Sequence, residues 1–294
     1  NTAINRRQFS IDVEHFKWPT EYRYPDITYK HDISFKCGDL TFNLHHARGE
    51  TDDHTWIHVP EEKLIAPGDL FIWAVPNGGN PQKVQRYISD WADALDEMLK
   101  LDCEIFLPGH GFPILGKKRI EKALETTSKF LRSIEDQTLK LMNQGKSLNQ
   151  VLHEVKIPND LMELPWLTPI YDDPQFLIRM VWRRYGGWWD GEYDRLLPAP
   201  RKDEALAWVE LSNGIENIIL KALENLDKGN FKVAAQLIET AFHADNDNEQ
   251  MHDARAKIYR EFSLNQSSSM GRNILNHASM ASAQGKRDLA QTED

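Results

Sequence analysis

The beginning of the chain alternates short apolar stretches with turn residues, a pattern that predicts β-strands. Residues 41–46 alternate polar and larger apolar side chains, as a strand with one buried face does. Three further β-rich runs, at 55–59, 63–66 and 104–107, each stop at a proline or a Pro-Gly pair. We therefore expect a sheet in this part of the chain, with these strands ending at their prolines.

A helix is predicted between the third and fourth of these strands. Asn80 is a good N-cap, and Pro81 suits the first helical position because its missing N–H needs no partner there. Apolar positions then recur with helical spacing: Val84, Ile88, Trp91, Leu95 and Met98. Strand, helix and strand in alternation predict an α/β layer architecture.

Beyond Gly116 the periodicity becomes helical, so the predicted fold class is α/β followed by all-α. Residues 119–143 are expected to form one long helix, and Ser147 with Gln150 is typical of a capping box that starts the next. Residues 157–200 differ from both neighbours because they are rich in proline and aromatic side chains.

Helical patterns continue over residues 202–262, with a polar turn at 245–248. Two helices, this turn and a third helix resemble one tetratricopeptide-like (TPR-like) hairpin unit. An ordinary helical hairpin fits equally well, because stable arrays need about three repeats. Residues 263–294 are polar and predict a weak helix or a frayed tail. The predicted domains are 1–118 and 119–262, followed by that tail.

Composition and charge exclude two classes of partner. The formal net charge of the 294 residues is −10, whereas binding to nucleic-acid phosphates requires a basic face. No apolar run is long enough to span a bilayer. The two cysteines, Cys37 and Cys103, are too few for a disulfide framework. We expect packed thiols in a reducing compartment, with the cytoplasm as the default.

Three short motifs each place an ionisable side chain just after a predicted strand. Glu50 lies in the turn 47–54, Asp69 follows one Pro-Gly pair, and His110 follows another. Turns of this kind hold a side chain rigidly and keep it open to a cleft. Each motif alone is typical of an ordinary turn, a loop histidine or a surface ion pair. Together, two carboxylates and an imidazole at successive strand ends predict a metal or catalytic site.

The motifs and their spacing resemble the C-terminal half of the metallo-β-lactamase fold. In that family a ligand precedes a strand that ends in proline, a Gly-Asp supplies a bridging carboxylate, and a Gly-His follows one helix. Glu50, Pro60, Asp69 and His110 fit this order. Glu in place of the usual first His is similar to the alkylsulfatase branch of the family. The aromatic segment 171–191 resembles the dimerisation domain that follows the metal domain in that branch.

The resemblance implies a partial αββα metallo-β-lactamase sandwich over 1–118, then a helical dimerisation domain and hence a homodimer. It implies that Glu50, Asp69 and His110 hold metal, that Asp69 bridges two ions, and that Asp69 and His110 are catalytic. Two zinc ions per complete site are implied, with iron or manganese as alternatives, and a metal-bound hydroxide as the nucleophile. The implied substrate is a small anionic or ester molecule, such as an alkyl sulfate.

One part of the family pattern is absent. The His-x-His-x-Asp-His run, which supplies the other metal ligands in this family, does not occur in these 294 residues. Because the chain begins with Asn1 and not Met, we expect a piece of a longer hydrolase. The alternative is a truncated or degenerate non-catalytic relative that serves as a helical dimer or scaffold. A third hypothesis is a helical-repeat adaptor built on residues 203–262.

Other polar residues near the motifs have two interpretations each. His54 either orients a metal ligand or is an ordinary strand-start histidine. Asp53 either assists it or bonds turn amides. Asn77 is a candidate substrate donor, although a glycine turn before the helix is the favoured interpretation. Lys83 and Arg86 are expected on the exposed side of the predicted helix.

Two features of the aromatic segment also lead to expectations. Trp188 and Trp189 are more typical of a dimer interface than of a substrate channel. Arg183 and Arg184 are expected to pair with the acidic residues at 190–194.

Overall fold

The computed structural model describes Arg7 and residues 20–289. Within them the chain divides into two compact units, residues 21–192 and the chain from Tyr193 onward. The first unit holds a sheet with helices, and the second is helical. The predicted class, α/β followed by all-α, is therefore confirmed.

The sheet of the first unit has six strands, which lie in the order in which they occur along the chain. They are β1 Asp32–Cys37, β2 Leu40–Ala47, β3 His54–Val59, β4 Leu64–Ile72, β5 Ile105–His110 and β6 Ile114–Leu115. Neighbouring strands are antiparallel except β4 and β5, which are parallel because a helix connects them. The predicted strands are all present, whereas β1 and β6 have no counterpart in the prediction.

The predicted ends of β4 and β5 were wrong, because both strands continue through their Pro-Gly pairs. β4 runs on to Ile72 and β5 to His110. Gly68 has φ +60°, and the pairing of the two strands shifts register on either side of it. Such an irregularity admits proline, whose missing N–H cannot join a regular ladder. Asp69 and His110 consequently lie on neighbouring strands, not in the loops beyond them.

The helices of the first unit are α1 Ile88–Leu99, α2 Lys117–Asn143, α3 Leu148–Glu154, α4 Asn159–Met162 and α5 Pro174–Gly186. The predicted start of α1 at Pro81 was wrong, because its N-cap is Tyr87. Asn80 instead accepts a hydrogen bond from the Gln82 amide at 3.0 Å within an irregular loop. The capping box of Ser147 and Gln150 is confirmed in both of its hydrogen bonds.

The core of the first unit lies between the sheet and α1 and α2. Its largest buried side chains include Trp91, Phe71, Phe106 and Phe130. The Trp91 indole donates to the Leu70 carbonyl at 2.7 Å, which ties α1 to β4. Helix α2 contributes to this same core and therefore belongs to the first unit. The two compact units divide after residue 192, whereas the sequence predicted a domain division after residue 118.

The second unit consists of helices α6 Arg201–Leu211, α7 Ile215–Asp227, α8 Phe231–Ala244, α9 Glu249–Leu264 and α10 Ser269–Ser282. Its core includes Ala222, Ile238, Met251 and Ile258, all fully buried. The weak-helix alternative for 263–294 holds for α10, while residues 290–294 lie outside the described part of the chain. None of the helices within residues 20–289 has the length and apolarity that a membrane crossing requires.

Candidate metal and substrate site

Glu50 lies in the turn between β2 and β3, next to a loop that follows β4. Its side chain is 26% exposed. The Asn77 amide donates from Nδ2 to Glu50 Oε1, and Arg86 Nη1 lies 3.4 Å from the same oxygen. Two donors on one carboxylate oxygen fix the orientation of the Glu50 side chain.

Asp69 on β4 and His110 at the end of β5 are neighbours because these strands pair in parallel. His110 Nε2 lies 3.6 Å from Asp69 Oδ1, with side-chain exposures of 75% and 30%. Gly109 makes this approach sterically feasible, since a Cβ added there would lie 1.9 Å from Asp69 Oδ1. The glycine of the Gly-His motif therefore makes room for the carboxylate of the Gly-Asp motif.

The three side chains that the sequence singled out come together. Burial raises the pKa of Glu50, and the Arg86 guanidinium opposes that shift. The charge of Asp69 and a hydrogen bond with the Asp69 carboxyl raise the pKa of Glu50 further, while His110 lowers it. Asp69 is thus the central member, in contact with Glu50 on one side and His110 on the other.

This donor set suits a divalent cation, but it is not arranged as a finished metal centre. Carboxylate oxygens with an imidazole nitrogen are ligands of zinc, iron and manganese, and binding to them releases protons. Within residues 20–289, however, no group of three or more His, Cys, Asp and Glu side chains has the geometry to hold an ion. The metal roles of Glu50, Asp69 and His110 stay predictions.

His54 and Asp53 differ in their surroundings. His54 Nε2 donates to the Pro67 carbonyl at 2.8 Å, and a Cβ added to Gly68 would lie 2.9 Å from the same nitrogen. His54 therefore fixes the backbone just before Asp69, as an orienting residue would. Asp53 is exposed in its turn.

Arg86 is buried, whereas the sequence predicted that it would be exposed. Lys83 is exposed, but Arg86 is only 6% exposed, and its Nη1 donates to the Asn77 carbonyl. The prediction was wrong because α1 begins after Arg86, so helical spacing does not apply to it. Burial lowers the pKa of Arg86, and the charge of Glu50 opposes that effect most.

Asn77 and Asp172 are buried beside Arg86. Asn77 is 5% exposed and contacts Glu50, so the turn interpretation alone does not describe it. Asp172 is fully buried, and its Oδ2 accepts from the Gly79 amide at 3.1 Å. Burial raises the pKa of Asp172 to about 7. Sequence reasoning missed Asp172 because 93 positions separate it from Gly79 and no periodicity connects them.

The region also contains buried polar atoms that have no hydrogen-bond partner among the described residues. They are Asn77 Oδ1, Asn80 Nδ2, Gln82 Nε2, Arg86 Nε, Thr138 Oγ1 and Asp172 Oδ1. All except Thr138 belong to the loop at 77–86 or to the residue that anchors it.

Some expectations outside the site were wrong. Arg184 pairs with Asp90 at 3.0 Å, not with the acids at 190–194, because the end of α5 lies beside the start of α1. Cys37 is exposed, since it ends the outer strand β1. Cys103 is buried as expected, and burial raises its pKa to about 11. Trp188 is 77% exposed, so its place in a dimer interface stays a prediction.

Several of the proteins that this chain is similar to are alkylsulfatases. Residues 147–285 match the alkyl sulfatase dimerisation family. A linear primary-alkylsulfatase of Pseudomonas sp. is 24% identical over 239 residues, covering 80% of this chain and 45% of that protein. An alkyl/aryl-sulfatase of Saccharomyces cerevisiae is 27% identical over 183 residues, covering 62% and 28%.

A solved structure agrees with these relatives. The stereoselective inverting sec-alkylsulfatase Pisa1 from Pseudomonas sp. superposes with a TM-score of 0.84 at 22% identity, over 89% of this chain and 42% of that one. The present chain spans less than half the length of these relatives. The fold is therefore that of an alkylsulfatase. Residues 147–285 thus resemble an alkyl sulfatase dimerisation domain, and the fold is similar to that of the sec-alkylsulfatase.

Proposed function

We propose that this chain forms part of a metal-dependent hydrolase that cleaves alkyl sulfates or related anionic esters. The observation that carries the proposal is the convergence of Glu50, Asp69 and His110, with Asp69 in contact with both of the others. Bound zinc, iron or manganese would supply Lewis acidity, which lowers the pKa of water and stabilises charge on the ester oxygens.

Each residue of the site has a proposed role. Glu50, Asp69 and His110 would hold the metal, with Asp69 as the central ligand because it contacts the other two. Asn77 and Arg86 orient Glu50 through Oε1. The Asn77 amide donates to Glu50 and is also hydrogen-bonded to Tyr171, so Asn77 holds Glu50 in place within a polar cluster. His54 keeps the backbone of Asp69 in position through Pro67.

Three ligands are fewer than two ions require. The complete site therefore needs ligands beyond those on these residues, of the kind that a His-x-His-x-Asp-His run supplies. We also propose that the chain forms a homodimer, since residues 147–285 match a dimerisation family. Size-exclusion chromatography with light scattering tests the dimer, and a monomer at micromolar concentration would contradict it.

Zinc titration by calorimetry tests the metal site. We expect Glu50→Gln, Asp69→Asn and His110→Ala each to weaken zinc binding at least tenfold, with Asp69→Asn the most damaging because it touches both other ligands. Asp53→Asn is the matched control, since it removes an exposed carboxylate from the same turn as Glu50. Zinc binding that is insensitive to Asp69→Asn would contradict the site.

A second candidate function is a non-catalytic helical dimer or scaffold. It is supported by the absence of the histidine run from these 294 residues together with the dimerisation match. The two candidates differ in one measurement. The scaffold proposal expects a dimer that binds no zinc, and release of sulfate from dodecyl sulfate in an Asp69-dependent manner would exclude it.

A further inference from the structure

The segment 168–180 packs against the loop that follows β4 in the candidate site. This segment belongs to the stretch that matches the dimerisation family. Its backbone holds both ends of the loop that follows β4. The Thr168 carbonyl accepts from the Val75 amide at 3.1 Å, and the Met180 carbonyl accepts from Gln85 Nε2 at 2.9 Å. The segment therefore contacts this loop along its length.

Asp172 anchors the middle of the same loop. Its Oδ2 accepts from the Gly79 amide, and the carboxyl group is fully buried. The backbone approach is close, because a Cβ added to Gly79 would lie 2.2 Å from the Phe176 carbonyl carbon. A buried carboxyl that binds a loop amide fixes the position of that loop.

Asp172 also acts on the charge beside Glu50. The charges of Glu50 and Asp172 both favour the protonated Arg86, and they do so against the cost of its burial. A buried cation needs compensating charge, and here two carboxyl groups share that role. Glu50 pairs with Arg86 directly at 3.4 Å, whereas Asp172 acts on Arg86 through its charge.

We propose that Asp172 is a positioning residue of the candidate site, because it anchors the turn at 77–80 and shares the charge of Arg86 with Glu50. Through the Gly79 hydrogen bond and its charge near Arg86, it sets how Asn77 and Arg86 hold the Glu50 carboxylate. A segment of the dimerisation match thereby contributes to the metal site itself. The effect on metal binding rests on the proposed function, whereas the anchoring of the turn does not.

The test uses two substitutions of Asp172 and one neighbouring control in the full chain. Asp172→Ala removes the acceptor and the charge, while Asp172→Asn keeps an acceptor oxygen and removes only the charge. Asp173→Asn is the control, because Asp173 caps α5 by accepting from the Gln175 amide at 2.8 Å. The measurements are amide hydrogen exchange at Gly79, the NMR signal of the Arg86 Nε–H group, and zinc affinity by calorimetry.

We expect Asp172→Ala to speed exchange at Gly79 at least tenfold and to shift the Arg86 signal. Asp172→Asn should shift the Arg86 signal and weaken zinc binding about tenfold, the lower end of the loss when groups that orient metal ligands are removed. A purely structural role for Asp172 instead predicts that folded Asp172→Asn binds zinc as the wild type does.

Two results would overturn the inference. One is unchanged Gly79 exchange together with an unchanged Arg86 signal in the Asp172 variants. The other is an equal response in Asp173→Asn, which would trace the effects to the start of α5. If the wild-type chain binds no zinc, the proposed function fails, and the Gly79 and Arg86 measurements still decide the anchoring role. If Asp172→Ala does not fold, Asp172→Asn decides through the Arg86 signal.

Discussion

The candidate site has two walls with opposite physical character. The strand wall consists of Glu50, Asp69 and His110, and the loop wall consists of Asn77, Arg86 and Asp172. Side chains of the strand wall are 26%, 30% and 75% exposed. Residues of the loop wall are 5%, 6% and 0% exposed, and each has a polar atom without a partner among the described residues.

This difference separates binding from stability. An exposed side chain such as that of His110 can adjust to a ligand, and its replacement has little effect on folding. Buried polar groups are held in place before any ligand arrives, and removing one partner leaves another buried without compensation. We therefore expect substitutions in the loop wall to change unfolding free energies, and those in the strand wall to change metal affinity.

The largest expected effect is that of Arg86→Met. Removing this buried cation leaves Glu50 and Asp172 without their shared partner, and we expect a loss of about 3–5 kcal/mol at pH 8 in urea unfolding. The loss should be smaller at pH 5, because Asp172, with its pKa raised to about 7, is then uncharged. Lys83→Met is the matched control on the same loop, and an equal loss in it would break the comparison.

In the strand wall, one backbone position, Gly109, does not tolerate a larger residue. Gly109→Ala introduces a Cβ at 1.9 Å from Asp69 Oδ1, so we expect a loss of about 2–3 kcal/mol in unfolding free energy. Gly38→Ala is the control: it meets nothing within 4 Å but has φ +60°, which costs about 1 kcal/mol. If the two variants were equally stable, the close packing of the two motifs would be refuted.

A pH effect of Asp172 is expected next in size. Burial raises the pKa of Asp172 from its ordinary value of 3.8 to about 7 in the folded state. The Gly79 amide and Arg86 oppose this shift, whereas the charges of Glu50 and Asp173 add to it. Between pH 3.8 and pH 7 the folded state therefore binds more protons than the unfolded state. The protonated Asp172 carboxyl stabilises the folded state fully below pH 4, and this stabilisation is lost as the pH rises through 7. The melting temperature of wild type minus that of Asp172→Asn should fall from pH 4 to pH 8, and a constant difference would contradict this.

The smallest effect on stability is expected for His110→Ala. With 75% of the side chain exposed, the unfolding free energy should change by no more than about 0.5 kcal/mol, although zinc affinity is lost. His153→Ala, an exposed histidine on α3, is the control for both measurements. A large loss of stability in His110→Ala alone would place the strand wall in the same class as the loop wall.

The two walls also differ in how far the sequence predicted them. Glu50, Asp69 and His110 each follow a β-rich run in the sequence, and the family resemblance gives them an order. Their convergence follows from β4 and β5 being parallel, which one intervening helix predicts.

The loop wall could not be predicted in the same way. Residues 75–87 have no regular secondary structure. The apolar positions over 84–98 have helical spacing, and this led to a wrong predicted start of α1 and a wrong predicted exposure of Arg86. The contact between Gly79 and Asp172 depends on tertiary packing across 93 positions. A single sequence contains no local signal for such a contact.

The separate cores of the two units bear on how the chain folds as it is synthesised. β4 and β5 pair only after α1 has been made between them, so the sheet depends on contacts distant in sequence, which form slowly. Helices α7 to α10 pack mainly on their neighbours in the chain and form quickly. The strands are synthesised before the helices of the second unit, so we expect the sheet to begin folding while those helices are still being made. This shortens the time during which its apolar strands are exposed to aggregation.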